Sequence, residues 1–382
     1  MFNVNNNLEV MEKVKNQMRK QQSILSDFAT KYSCAIRLKE EKKDIRLDFA
    51  RDIDRIIHSL AYTRYLDKTQ VYSDSDNFDI SKRMTHVQFV SRASKTIARS
   101  LGLNEDLCEA IALGHDVGHA PFGHFGESVL NNISKERTGR CFAHNLNSVR
   151  ILEYVEKNGK GLNLTLQVLD GIMCHNGEFI RAKYAPIKKN KAFFINEYNE
   201  CLNDEKKIKR LVPMTLEGCV VRISDVIGYI GKDIDDAKNM EVFDISTIPS
   251  SVRNVLGTKN VDIMNNIILD VIEQSYGKGY IQMSEEVFEQ VDILKKFNYE
   301  NIYKKALNKS QEKYIKTMFN KLYDLYLLAL QKEEKVISIY DNFLLKMSDE
   351  YIKNTTNEEK VLDYIAMMTD TSLEKEYLKY YS

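Results

Sequence analysis

Apolar residues in this chain recur at helical spacing, and the strict alternation a strand requires is scarce. Met264, Ile267, Ile268, Val271 and Ile272 fall at steps of 0, 3, 4, 7 and 8, which lines them up on one stripe of a helix. Ile315, Met318, Phe319, Leu322 and Tyr323 repeat that spacing. Only four prolines and sixteen glycines interrupt 382 residues, so helices are seldom broken. The pattern predicts an all-α fold. A chain of this length exceeds one compact core of usual size. It reads as a helical lead-in over residues 1–48, a central unit over 49–240 that carries every histidine, and a C-terminal helical region over 241–382 suited to packing or assembly. Pro249, with the Ser and Thr residues between Asn239 and Ser251, marks the second boundary.

Charge excludes some partners. Lys plus Arg and Asp plus Glu both number 55, so there is no global basic field to recruit nucleic acid or a membrane surface. The basic run Lys206-Lys207-Ile208-Lys209-Arg210 reads as a solvated helix face. None of the six cysteines forms a Cys-x-x-Cys pair, against a zinc ribbon or redox dithiol. No charged-then-apolar leader opens the sequence, and no apolar run approaches the ~20 residues of a membrane helix. These features predict a cytoplasmic protein with reduced thiols.

The histidines are concentrated. Gly114 to Glu127 reads GHDVGHAPFGHFGE and holds three of the chain's seven. His86 stands near the start of a helix predicted over 84–101. Asn104 is a natural cap for the next helix, with acidic Glu105 and Asp106 at its positive end. Leu107, Ile111 and His115 fall four apart on its face, so His115 and Asp116 come at its end, before Gly118 lets the chain break. Thr215 caps a third helix, whose apolar residues run from Leu216 through Val220, Ile223, Ile227 and Ile230 to Ile234. On it Asp225, Tyr229 and Asp233 share a separate polar face. His86, His115, Asp116 and Asp225 could together hold one divalent cation. Two imidazoles, two carboxylates and no thiolate favour Mn, Mg, Fe, Co or Ni over a closed structural zinc site. Such a site suits phosphate-ester hydrolysis, because a bound cation lowers the pKa of water and neutralises charge on phosphorus. Read alone, the same residues also fit a set of separately satisfied buried histidines.

Three stretches add a resemblance. They are Asp52-Ile53-Asp54-Arg55-Ile56-Ile57-His58-Ser59 with Lys68-Thr69-Gln70-Val71, the 114–127 segment, and Phe142-Ala143-His144-Asn145 with Tyr229 and Asp233-Ile234-Asp235-Asp236. Over residues 48–240 the chain resembles the HD superfamily of metal-dependent phosphohydrolases. More narrowly it is similar to the deoxynucleoside triphosphate triphosphohydrolases, the dGTPases among them. The resemblance implies an all-α HD-domain core. It implies His86, His115, Asp116 and Asp225 as ligands of one divalent metal, and His124 with Glu127 as the catalytic histidine and its acid. It implies His119, His144 and Arg83 at the phosphates, Gln70 and Asp233 at the sugar 3′-hydroxyl, and Tyr229 packed under the deoxyribose. His58 and His175 are left as structural. The chain departs from the family pattern at Val87-Gln88-Phe89-Val90, Ile223-Ser224 and Gly231-Lys232, none of them a proposed ligand.

The resemblance implies an activity as well: hydrolysis of dNTPs, dGTP among them, to a deoxynucleoside and inorganic tripolyphosphate. It also implies a homo-oligomer, commonly a hexamer, with dNTP effectors and single-stranded DNA as partners in some members. Two other readings stay open: a phosphohydrolase acting on a nucleoside monophosphate or cyclic dinucleotide, and a non-catalytic nucleotide or single-stranded DNA sensor.

Overall fold

A computed structural model describes residues 4–42, 45–70, 81–176, 180–239 and 245–382. Val71 and much of the Asn239–Ser251 boundary therefore lie outside the described residues. Helix α1 spans Val4–Gln22, and α2 spans Asp48–Ile57. The central helices are α3, Arg83–Leu101, α4, Glu105–Gly114, α5, Gly123–Thr138, α6, His144–Arg150, and α7, Leu166–Cys174. They are followed by α8, Leu216–Ile230, and α9, Lys232–Asn239. The C-terminal region contributes α10, Asn260–Ser275, α11, Glu285–Asn301, α12, Lys309–Gln331, α13, Asn357–Ala366, and α14, Asp370–Tyr381. Helical turns and loops connect them. Two two-residue strands, Lys183–Tyr184 and Ile281–Gln282, pair antiparallel.

Local signals set the ends of the helices that matter. The Asn104 side chain accepts from the Leu107 amide at 3.2 Å and opens α4. Thr215 accepts from the Gly218 amide at 3.0 Å and opens α8. Gly102, left-handed at φ 67°, closes α3. One expectation needs correction: the helix predicted from Leu216 through Ile234 is two helices, α8 and α9, meeting at Gly231. A side chain at Gly231 would lie 3.2 Å from the Asn260 Cα, so the join is pressed against the start of α10.

The two apolar stripes found in the sequence behave differently. Ile315, Met318, Phe319, Leu322 and Tyr323 are all buried, and Phe319 sits against α5 beside Phe122. On α10, Ile267 and Val271 are buried, while Met264, Ile268 and Ile272 are only partly so. Helices α3, α4 and α8 pack on one another, with α2 and α7 completing the layer around α4 and α8. Gly228 allows the α3–α8 contact to be close: a Cβ there would sit 2.8 Å from Val90. That approach brings His86 on α3 opposite Asp225 on α8. The C-terminal helices α12 and α13 lie against α5. No helix among the described residues is long and apolar enough to cross a membrane, and all six cysteines are unbridged.

Candidate active site

The residues picked from α3, from the end of α4 and from α8 converge. His86 Nε2 lies 3.1 Å from Asp225 Oδ1 and 3.8 Å from Asp116 Oδ2. His115 Nε2 lies 3.5 Å from Asp116 Oδ1 and 3.6 Å from Asp225 Oδ1. All four are buried. His115 Nδ1 sits 2.6 Å from the Ala112 carbonyl, an acceptor for a ring proton on that side, and Nε2 is the ring nitrogen that faces the carboxylates. That Nε2 is buried and has no hydrogen-bond partner among the described residues.

This orphan nitrogen tests whether a cation fits. A metal with arms of about 2.1 Å spaces neighbouring donors roughly 3.0 to 3.4 Å apart. The 3.1–3.8 Å separations are of that order, and those of His115 are too long for good hydrogen bonds. The donor set is two imidazoles and two carboxylates, and His86, His115 and Asp116 form one of the clusters able to hold a metal. Charge agrees. Burial alone would raise both carboxyls, yet His115, His119 and Arg83 hold Asp116 well below its ordinary value. His115 and His86 do the same for Asp225. Burial alone would depress His115, but Asp116 and Asp225 reverse that and raise it.

A second group adjoins the first through Asp116. His119 Nε2 is 3.3 Å from Asp116 Oδ1, and the His119 ring stacks on that of His144 at 4.0 Å, inclined by 13°. Burial, then Arg83 and His144, keep His119 well below the usual histidine range, so the ring is neutral. Glu127 faces three histidines, with His119 Nδ1 the farthest at 3.9 Å. It accepts from the His144 amide at 2.7 Å, lies 3.0 Å from His144 Nδ1, and is 3.4 Å from His124 Nδ1. The resemblance implied a His124–Glu127 pair, but the tighter partner is His144. His124 itself is 62% exposed at the rim.

His175, set aside as structural in the sequence, belongs to this group. Its Nε2 lies 3.1 Å from His144 Nε2 and 3.7 Å from Asp116 Oδ1. It closes α7 as His115 closes α4, with Nδ1 2.6 Å from the carbonyl three residues back, that of Ile172. That repeated helix-end histidine was the signal available in the sequence. His58 by contrast is exposed, its Nδ1 2.7 Å from the Asp54 carbonyl.

His175 Nδ1 faces the Ile172 carbonyl, and burial, with His115 and His144 nearby, pushes the ring's pKa down to about 3, which leaves its Nε2 an acceptor. His144 lies between that atom and the Glu127 carboxylate, 3.1 and 3.0 Å from its two ring nitrogens.

Arg83 is buried, bonded to Asp116 and donating to the Thr69 carbonyl at 3.0 Å. Gln70, half-buried, has a side-chain oxygen without a partner among the described residues. Tyr229 is half-buried near the end of α8. Asp233 is less available than expected. It accepts from the Tyr303 hydroxyl at 2.6 Å, and burial pushes its pKa up to about 7.

The HD domain matches residues 83–229, and the phosphohydrolase-associated domain matches residues 281–379. A deoxyguanosinetriphosphate triphosphohydrolase-like protein of Caldanaerobacter subterraneus subsp. tengcongensis is 39% identical over 87% of this chain and 84% of its own length. One of Clostridium tetani is 36% identical over 87% of this chain and 85% of its own. One of Clostridium perfringens strain SM101 is 33% identical over 98% of both. An HD domain with its associated C-terminal domain, matched by relatives along most of its length, makes this chain a member of the HD-superfamily hydrolases, in the family of deoxyguanosinetriphosphate triphosphohydrolase-like proteins.

Proposed function

We propose that the protein hydrolyses deoxynucleoside triphosphates, dGTP among them, by cleaving the bond between the α-phosphorus and the 5′-oxygen. The products are a deoxynucleoside and inorganic tripolyphosphate. The observation that carries this reading is the adjacency, through Asp116, of a two-histidine, two-carboxylate cluster and a second cluster of three histidines and one glutamate. The triphosphohydrolase-like names of the relatives supply the substrate class.

His86, His115, Asp116 and Asp225 would hold one divalent ion, Mn or Mg being first choices. When bound, that ion supplies Lewis-acid charge at a phosphate oxygen. The chain's own groups do the rest. The His144 imidazolium, backed by Glu127, presents positive charge beside neutral His119, where the phosphates would lie. His124 stands at the rim with Glu127 within 3.4 Å. It is the mobile proton carrier of the pair, assisting the attacking water or protonating the departing 5′-oxygen. Acid–base help of this kind contributes on the order of a hundred- to ten-thousand-fold. Gln70, Tyr229 and Asp233 are assigned to the sugar. At pH below about 7 Asp233 is protonated and can donate to a hydroxyl as well as accept. Cytoplasmic location and a homo-oligomeric, hexameric assembly are part of this reading, as are a dNTP effector and single-stranded DNA as candidate partners.

The test is ion chromatography of the phosphate product. Each dNTP, alone and in pairs, is incubated with Mn or Mg. Intact tripolyphosphate is expected. Orthophosphate or pyrophosphate as the primary product sinks the reading, as does the absence of turnover with every dNTP and pair.

A further inference from the structure

One carboxylate of the C-terminal region, Asp370, reaches the segments that carry Gln70 and His124. Asp370 opens α14 and is buried. Its Oδ1 accepts from the Phe122 amide at 2.8 Å. Its Oδ2 accepts from the Thr69 amide at 3.2 Å and from the Thr69 hydroxyl. Thr69 precedes Gln70. Phe122 is the N-cap residue of α5, whose first turn carries His124 and leads to Glu127. One carboxylate therefore joins the two segments on either side of the proposed reaction centre.

Both ends of this link need it. The α5 helix starts badly. Phe122 is left-handed at φ 59° and has no side-chain cap bond, and Gly123 follows at φ 55°. A non-glycine residue in that region is strained and holds only when its surroundings insist. In a capping box the third helical residue would return a side-chain acceptor to the N-cap amide. Here that residue is Phe125, which has none. Asp370 supplies the acceptor from another part of the chain. Its own position is firm, because Thr369 and Ser372 form a reciprocal capping box around it.

The neighbours repeat the pattern. Thr371 donates to Asp67 at 2.9 Å. Lys68 is fully enclosed and donates to the Ala366 carbonyl at 3.2 Å and to the His119 carbonyl. Arg83 donates to the Thr69 carbonyl from the other side. Three consecutive residues, Asp67 to Thr69, are each tied to the α13–α14 corner, and two of those ties continue into the 119–122 turn.

We infer that Asp370 is a positioning residue of the reaction: it holds the His124 turn and the Gln70 segment in fixed register from the phosphohydrolase-associated domain. The kinetic side of this inference rests on the proposed function. The structural side does not.

The test uses the full chain. Asp370→Asn puts an amide donor against amide donors. Hydrogen exchange is expected to accelerate in 67–70 and 119–125 while α3 and α8 keep the parent pattern. In dNTP hydrolysis kcat should fall about ten- to a hundredfold with KM changed less, since small misplacement of reacting groups costs rates of that order. Asp52→Asn is the control. That buried carboxylate also joins two segments, through Arg37 at 2.6 Å and the Thr165 amide at 2.8 Å, away from the site. It should lower Tm while keeping parental kcat. Should Asp370→Asn not fold, Thr69→Val removes only the hydroxyl bond and should still speed exchange at 119–125. Unchanged exchange in these segments, or kcat within about twofold of the parent for folded Asp370→Asn, overturns the inference. If the parent hydrolyses no dNTP, the functional reading fails and the exchange pattern alone decides the brace.

Discussion

The Nε2 atoms of His144 and His175 lie 3.1 Å apart, and only one of them carries the shared proton. With His175 Nδ1 committed to the Ile172 carbonyl, we predict that the proton sits on His144, so that His175 keeps its neighbour doubly protonated and paired with Glu127. Replacing it with phenylalanine removes the acceptor while keeping a ring. We expect kcat to fall roughly 10- to 100-fold, the scale on which partners that orient site residues act. The His144 imidazole resonances should shift towards the neutral form in an NMR titration. An unshifted titration would remove His175 from this role.

Asp225 makes the second prediction. Two imidazoles converge on it, at 3.1 and 3.6 Å, and burial isolates the group from water. Asp225→Asn keeps the shape and removes one negative charge from the donor set. Dialysis against a chelator should abolish parental activity, and Mn or Mg should restore it. Asp225→Asn should need at least tenfold more metal for half-maximal recovery. Equilibrium dialysis of the metal, independent of turnover, should show the same weakening. Parental affinity in the variant would exclude Asp225 as a ligand.

Helix periodicity made most of the α-helical fold legible, because the stripe on α12 is continuous and its capping residues are strong. Legibility failed at Gly231, where the apolar pattern runs unbroken through Ile234. The break there comes from the packing of α10, which no local rule contains. The ligand candidates could be read because His115 and Asp116 end a helix that also faces the core. His175 was missed although it ends α7 in the same way, since its partner His144 is 31 residues distant and no spacing links the two. Glu127 was paired with His124 by the resemblance, and their i, i+3 spacing allows that local contact. Its stronger contact, His144, is a tertiary one. Lys68 and Asp370 are 302 positions apart, and only the folded chain brings their neighbourhoods together.

Gly118 gives a third prediction. A methyl group there would lie 2.1 Å from the Ser148 amide and 2.3 Å from the His144 carbonyl. Those atoms belong to helix backbone, so α6 must move. Ser148 also accepts from the Gly118 amide at 2.9 Å and donates to the His115 carbonyl at 2.6 Å. Gly118→Ala should therefore displace His144 from Glu127 and loosen the His115 turn together. A loss of about 1–3 kcal/mol, the usual cost of overpacking, is expected in denaturant unfolding. Activity should fall more than a hundredfold in the fraction that remains folded. Parental activity per folded molecule would show that the turn absorbs the methyl group without moving His144.

Lys68 gives a pH dependence whose sign can be worked out. Burial, with Arg64 and Arg83 nearby, outweighs the attraction of Asp370 and Asp116 and lowers its pKa from 10.5 to about 7. In the unfolded chain the amine holds its proton up to about 10.4. Between those values the unfolded state binds more protons than the folded one, so this residue's contribution to stability rises with pH. It is least favourable below pH 7, where a charged ammonium must be buried, and levels off above pH 10.5. The whole effect is on the order of 4 kcal/mol. Six thiols and many tyrosines also titrate at high pH, so the comparison must be with Lys68→Met. That variant leaves the Ala366 and His119 carbonyls without this donor at every pH but carries no titrating group. The parent-minus-variant difference in unfolding free energy should grow in the parent's favour from pH 7 to pH 10. A difference that stays level over that range would mean that Lys68 remains charged in the folded protein.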